Sequence, residues 1–159
     1  MKTYKLSLTV AEKQRLKQNK CRVGELHAYA ADELCELLNT TTERAKNIAA
    51  LIEFQQIPSV GPRFAADLVS LGYYSLNELK EMQGPELLNA YERRHGFRVD
   101  PCVEDQFWLV VHFANHRGNK NWWDFTTLRK AYRAKHGYPP DRPGHNWFES
   151  ERYSGATNS

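Results

Sequence analysis

Ile57-Pro58-Ser59-Val60-Gly61-Pro62-Arg63-Phe64-Ala65 decides the fold of this 159-residue chain. Pro58 ends the helix before it, and Pro62 suits the first position of the next, where no amide hydrogen is needed. Gly61 admits close backbone approach and unusual dihedral angles. The amides of Gly61, Arg63 and Phe64 are predicted to point outward from a helix N-terminus, which favours an anion. Arg63 adds a charge-assisted bond to a phosphate. Such a turn suits a sugar-phosphate backbone and has no means of reading bases. The binding residues expected here are Ser59, Val60, Gly61, Arg63 and Phe64.

The turn has an echo twenty residues earlier. Asn39-Thr40-Thr41-Thr42-Glu43-Arg44-Ala45 with Ile48 parallels Ser59-Val60-Gly61-Pro62-Arg63-Phe64-Ala65 with Leu68. In each, small residues lead into a helix carrying Ala and then an aliphatic residue three positions on. Glu43 stands where Arg63 does, and a carboxylate there repels phosphate, so the first copy reads as structural. Apolar residues elsewhere keep a helical period, as in Ala45, Ile48, Ala49 and Ile52. The spacing predicts helices near 10–19, 25–38, 42–56, 62–71, 76–82, 86–95, 101–116 and 127–136. Phe107–Ala114 is apolar on nearly every face except at His112, which predicts a central buried helix. Thr9 with Glu12, and Ser75 with Glu78, have capping-box spacing, and Thr40 and Thr41 compete for the cap before Glu43. Gly72, Gly84, Gly96, Gly118 and Gly137 each follow a helical run, as left-handed closing residues do. Lys5–Val10 alternates like a short strand with no partner strand in view. The Pro-rich run after Gly137 cannot be helix.

The expected fold is all-α: a tandem helix-hairpin-helix unit followed by a C-terminal helical extension. Its divisions are a basic N-terminal segment at 1–24, the tandem unit at 25–83, a helical part at 84–137 packed on it, and a mobile tail at 138–159, with Trp147 and Phe148 able to pin the start of its polar end.

The stretch at 57–65 resembles the helix-hairpin-helix motif of DNA repair and recombination proteins, with Ser59 in place of the first glycine. The wider chain, over most of residues 40–143, resembles the pathogenicity-locus family of small bacterial proteins. The residues that carry this are Phe54–Pro62, Asp100-Pro101-Cys102-Val103-Glu104-Asp105, and Trp122-Trp123 with Arg129-Lys130-Ala131. The resemblance implies an all-α helix-hairpin-helix protein with a presumed DNA-binding role and no established enzymatic activity.

Composition and charge bound the alternatives. With 41% hydrophobic and 12% aromatic residues the chain can bury a core. No apolar run approaches the roughly 18–20 residues that span a bilayer, and no signal peptide is legible. Three cysteines without a CxxC pair fit free thiols in a reducing cytoplasm. The net charge of +3 divides into +5 over residues 1–30, −6 over 31–116 and +4 over 117–159. The acidic middle opposes tight DNA binding and favours a protein-protein adaptor as the alternative. Arg129, Lys130 and Arg133, with Lys135, lie on a helix behind Trp122-Trp123 and extend the expected nucleic-acid surface. Lys13, Lys17 and Lys20 form a similar stripe that reads more simply as a solvated face. His112 and His116 have a spacing that two metal ligands use, yet no third or fourth ligand is visible, so no metal or cofactor is expected. Cys102 sits at a predicted helix N-terminus, which favours a thiolate, among carboxylates that oppose one. A thiol- or metal-dependent enzyme on these residues is the third reading.

Overall fold

The computed structural model describes residues 3–149. Seven α-helices carry the described chain: α1 Val10–Gln18, α2 Ala31–Leu38, α3 Thr42–Phe54, α4 Pro62–Ser70, α5 Gly84–His95, α6 Pro101–His116 and α7 Thr126–His136. No strand occurs among the described residues; one isolated bridge joins Arg98 and Asn146. No described helix is long and apolar enough to cross a membrane. The chain divides into two compact units, Met1–Glu78 and Leu79–Ser159.

In the first unit α3 packs against both α2 and α4. Its core joins Leu16, Leu26, Leu34, Leu38, Ala45, Ile48 and Ile52, together with Tyr4. The basic N-terminal segment expected to stand apart therefore contributes to this core, because Tyr4 and Leu16 find apolar partners there. Thr9 and Glu12 form the predicted capping box, with the Glu12 amide donating to the Thr9 hydroxyl at 3.1 Å. Glu12, 4% exposed, also accepts from Arg44 at 3.0 and 3.2 Å and so ties α1 to α3. Lys5–Val10 forms no strand: Val10 begins α1, and Lys5 pairs with a side chain. The Lys5 amide donates to Gln55 Oε1 and the Lys5 carbonyl accepts from Gln55 Nε2, both at 3.0 Å.

Two predicted helices come out differently. The 25–38 run breaks into a 3-10 helix, Val23–Ala28, and α2, because Tyr29 and Ala30 are extended and the Glu33 carboxylate accepts from the Ala30 amide. The 76–82 run shrinks to one 3-10 turn, Leu76–Leu79.

In the second unit α6 is the predicted central helix, opened by Asp100 as cap and Pro101 as first residue. Phe107, Leu109, Val110 and Ala114 are buried along it. Four of the five glycines read as helix closers do adopt positive φ: Gly72, Gly96, Gly118 and Gly137. Gly84 is the exception. It begins α5, and a Cβ there would meet Trp108 Cα at 2.9 Å, so close packing, and no left-handed angle, requires glycine.

The segment from 138, expected to be a mobile tail, is held to the second unit as far as 149. Arg142 donates to both oxygens of Glu92, at 2.8 and 3.1 Å. The Arg98 amide donates to the His145 carbonyl, and the Trp147 amide to the Arg98 carbonyl. Pro and Gly exclude helix there, but the backbone finds its partners on the chain at Arg98. The expected polar tail of residues 150–159 lies outside the described residues.

Two stability tests follow from these contacts. Gly84→Ala is expected to cost about 1–3 kcal/mol in urea denaturation through overpacking against Trp108. Gly61→Ala, whose Cβ would meet nothing within 4 Å, is expected to stay within about 1 kcal/mol of the parent.

A third test uses pH. The hydrogen bond from Arg44 holds the Glu12 carboxyl below its ordinary range. A depressed carboxyl stabilises the fold above its unfolded pKa, and the contribution is lost as pH falls through the folded pKa. Glu12→Gln is therefore expected to destabilise near neutral pH by about 1–3 kcal/mol, with melting curves that approach the parent's in acid.

Candidate nucleic-acid interface

The turn between α3 and α4 is built from the inside. Ile57 and Val60 are buried at 0% and 7% exposure and anchor it in the first unit. The Val60 amide donates to the Ile57 carbonyl at 3.2 Å, which closes the turn and engages that amide internally. Ser59 takes φ +61°, the left-handed conformation that a glycine adopts at less cost. Serine therefore takes a backbone conformation suited to the glycine it replaces in the resemblance. Gly61 is the cap of α4 with φ −97°, so the positive angle lies at Ser59 and not at Gly61. Pro62 opens the helix as predicted.

The outward face of this turn is Ser59, Gly61, Pro62 and Arg63, all exposed. Phe64, by contrast, is 4% exposed, so its side chain belongs to the core and only its backbone is eligible for a ligand. The first helical bond of α4 runs from the Ala65 amide to the Gly61 carbonyl at 3.1 Å, and the amides of Arg63 and Phe64 precede it. No acidic residue occupies the first turn of α4. Its positive N-terminal field is thus undiminished by a local carboxylate. Neither packing nor dihedral angle requires glycine at 61, since a Cβ there meets only open space.

The upstream turn matches at four positions and departs at two: Thr40 is only half-buried where Val60 is buried, and Arg44 pairs with Glu12 where Phe64 enters the core. Asn39 is left-handed at φ +51°, Thr41 caps α3, and Ala45 and Ile48 are buried as Ala65 and Leu68 are. Thr41, which competed with Thr40, accepts from the Arg44 amide at 3.1 Å. Glu43 sits exposed in the first turn of α3, where it opposes an anion.

The basic residues of α7 do not present one surface. Arg129 donates to both oxygens of Asp105, at 2.8 and 3.4 Å, and Arg133 donates to Glu104 at 2.7 Å. Both carboxylates are 1% exposed, and the two guanidinium side chains are 12% and 7% exposed. Arg133 also reaches the carbonyls of Gly137 and Pro85 and the Asn89 side chain. These two arginines are internal counter-ions, so only Lys130 of the three expected residues on α7 stands exposed. The sequence carried a usable signal, since Glu104 and Asp105 are neighbours on an apolar helix and demand buried partners. It did not say which arginines supply them.

The rings of His112 and His116 lie 4.8 Å apart, and His112 also packs against Phe125 at 5.3 Å. Burial, then the nearby Lys120 and His116, hold the His112 pKa below its ordinary value. Among the described residues no group of three or more His, Cys, Asp or Glu could hold a metal ion. Burial, then Asp100, push the Cys102 thiol up to about 11. Burial, with the carboxylates, outweighs the helix N-terminus, and the thiol stays protonated near neutral pH.

A family model described as pathogenicity locus matches residues 47–131, just over half of the chain. The chain is also similar to the mitomycin resistance protein McrB of Streptomyces lavendulae. The two are 29% identical over 86 residues, which cover 54% of this chain and 80% of that protein. No solved structure matches the chain.

The internal role of α7 is testable. Arg133→Ala is expected to cost about 3–5 kcal/mol in urea denaturation, because it strands Glu104 without its counter-ion. Lys130→Ala should stay within about 0.5 kcal/mol of the parent. A loss below about 1 kcal/mol for Arg133→Ala would return that residue to the surface reading.

Proposed function

The chain belongs to the pathogenicity locus family, and we propose that it contacts a nucleic-acid backbone, without sequence preference, through a helix-hairpin-helix formed by α3, the turn Ile57–Gly61 and α4. The observation that carries this reading is Gly61. It is a glycine at the mouth of a helix N-terminus, next to the exposed Arg63, where nothing inside the protein needs a missing side chain. A backbone phosphate approaching those amides is the occupant for which bare backbone at 61 is useful. The left-handed Ser59 supports it, and so does the matching turn at Asn39, which makes the arrangement a tandem of two hairpins with one competent for anions. The name of the relative speaks of mitomycin resistance and not of nucleic acid.

With Arg129 and Arg133 committed internally, the turn at 59–63 would make about two phosphate contacts. Log affinity for duplex or single-stranded DNA is then expected to fall against log salt with a slope of about −2, and the dissociation constant to lie at roughly 10⁻⁴–10⁻⁶ M. Gly61 has an extended backbone that valine tolerates, so Gly61→Val stays folded and blocks the approach. Gly61→Val and Arg63→Glu should each weaken binding roughly tenfold, on all sequences alike, in a low-salt anisotropy titration. Both variants binding like the parent would make the hairpin a packing device.

A second reading then takes over. Trp123 and Leu128 are 55% and 54% exposed in the second unit, the kind of apolar surface a protein adaptor presents.

A further inference from the structure

The first unit holds a cleft that the hairpin does not use. It is an open cleft of about 490 Å³, and its lining includes Leu6 and Leu8 of the N-terminal segment, Leu16 of α1, and Val23. Three cations also line it: Lys13 and Lys17 of α1, one turn apart, and Arg22. All three are exposed. The ion pairs that arginines make elsewhere, with Glu12, Glu92, Glu104, Asp105 and Asp141, leave these three aside. Cys21 stands among the lining residues, half-buried. Burial raises its thiol pKa, and the nearby Glu25 raises it further.

An apolar wall with a one-signed rim selects an amphipathic ligand of opposite charge. The volume lies within the range of about 300–1,000 Å³ typical of small-molecule sites. We propose that this cleft binds a small amphipathic anion, an apolar chain carrying a single anionic head group. Leu6, Leu8, Leu16 and Val23 take the chain, and Lys13, Lys17 and Arg22 hold the head at the rim. Lys13 and Lys17, which sequence alone reads as part of a solvated face with Lys20, acquire a role because an apolar hollow lies directly beside them. This site shares no residue with Ile57–Phe64 and stands or falls independently of the nucleic-acid reading.

The test is an amide NMR titration of the full chain with decanoate below its micelle concentration, run beside decanol and acetate. Alkylation of Cys21 by iodoacetamide is followed by mass spectrometry, with Cys35 and Cys102 as internal references. Decanoate is expected to shift amides at 4–8 and 13–23 saturably and to slow Cys21 alkylation at least roughly fivefold, leaving Cys35 and Cys102 unchanged. The double variant Lys13→Gln, Lys17→Gln changes only exposed side chains. It should weaken decanoate binding roughly three- to tenfold and leave decanol binding unaltered. Acetate reproducing the shifts would reduce the site to a basic surface. Decanol binding as tightly as decanoate, shifts spread over the whole chain, no saturation, or an unchanged double variant would each overturn the proposal.

Discussion

Three carboxylates buried in the second unit, Glu92, Glu104 and Asp105, constrain the rest of that unit. Each is 1% exposed, and each meets an arginine supplied from further along the chain: Arg142, Arg133 and Arg129 respectively. An unpaired carboxylate at such a site carries a desolvation cost of several kcal/mol, so α5 and α6 cannot pack as they do until the C-terminal segments arrive. The pairs also explain how α7 docks although none of its residues is buried. It is tied by planar guanidinium forks, which lysine cannot replace. Tyr138 completes the arrangement, with the guanidinium groups of Arg142 and Arg133 at 3.6 and 4.0 Å from its ring centroid. Its hydroxyl donates to Glu104 at 2.9 Å.

This pairing changes what the charge distribution means. The acidic middle and the basic end look in sequence like separate electrostatic surfaces, one repelling DNA and one attracting it. In the fold they partly cancel, because Glu92, Glu104 and Asp105 belong to the first block and their arginines to the second. Glu12 and Arg44 in the first unit also pair across a block boundary, with the signs reversed, the acid in the basic end and the arginine in the acidic middle. Charge placed at the ends of the chain is in part structural material.

The turns at Asn39 and Ser59 share backbone features and differ in charge. Asn39 and Ser59 both accept the left-handed angle, and Thr41 and Gly61 both cap the next helix. They differ in what faces a ligand. The first offers a threonine cap already satisfied by its own helix and a carboxylate beside it. The second offers bare backbone and a guanidinium.

Much of this was legible in the sequence because it is local. Helix periodicity, the Thr9–Glu12 box, the Asp100-Pro101 start and the doubling of the turn rest on neighbours within a few residues, and the chain encodes them wherever it goes. Gly84 escaped that reading because its reason is Trp108, twenty-four residues away. The segment at 138–149 escaped it because prolines state only that a helix is impossible, and say nothing of Arg98 waiting to pair with it. Arg129 and Arg133 escaped it for the same physical reason. A cation on a helix looks identical in sequence whether it faces water or a buried carboxylate, and only the fold brings the carboxylate within hydrogen-bond reach. Local pattern is enough to place most of the helices and their caps, because it depends on near neighbours; which charges remain on the surface is settled only by the fold, because burial and pairing are properties of distance in space.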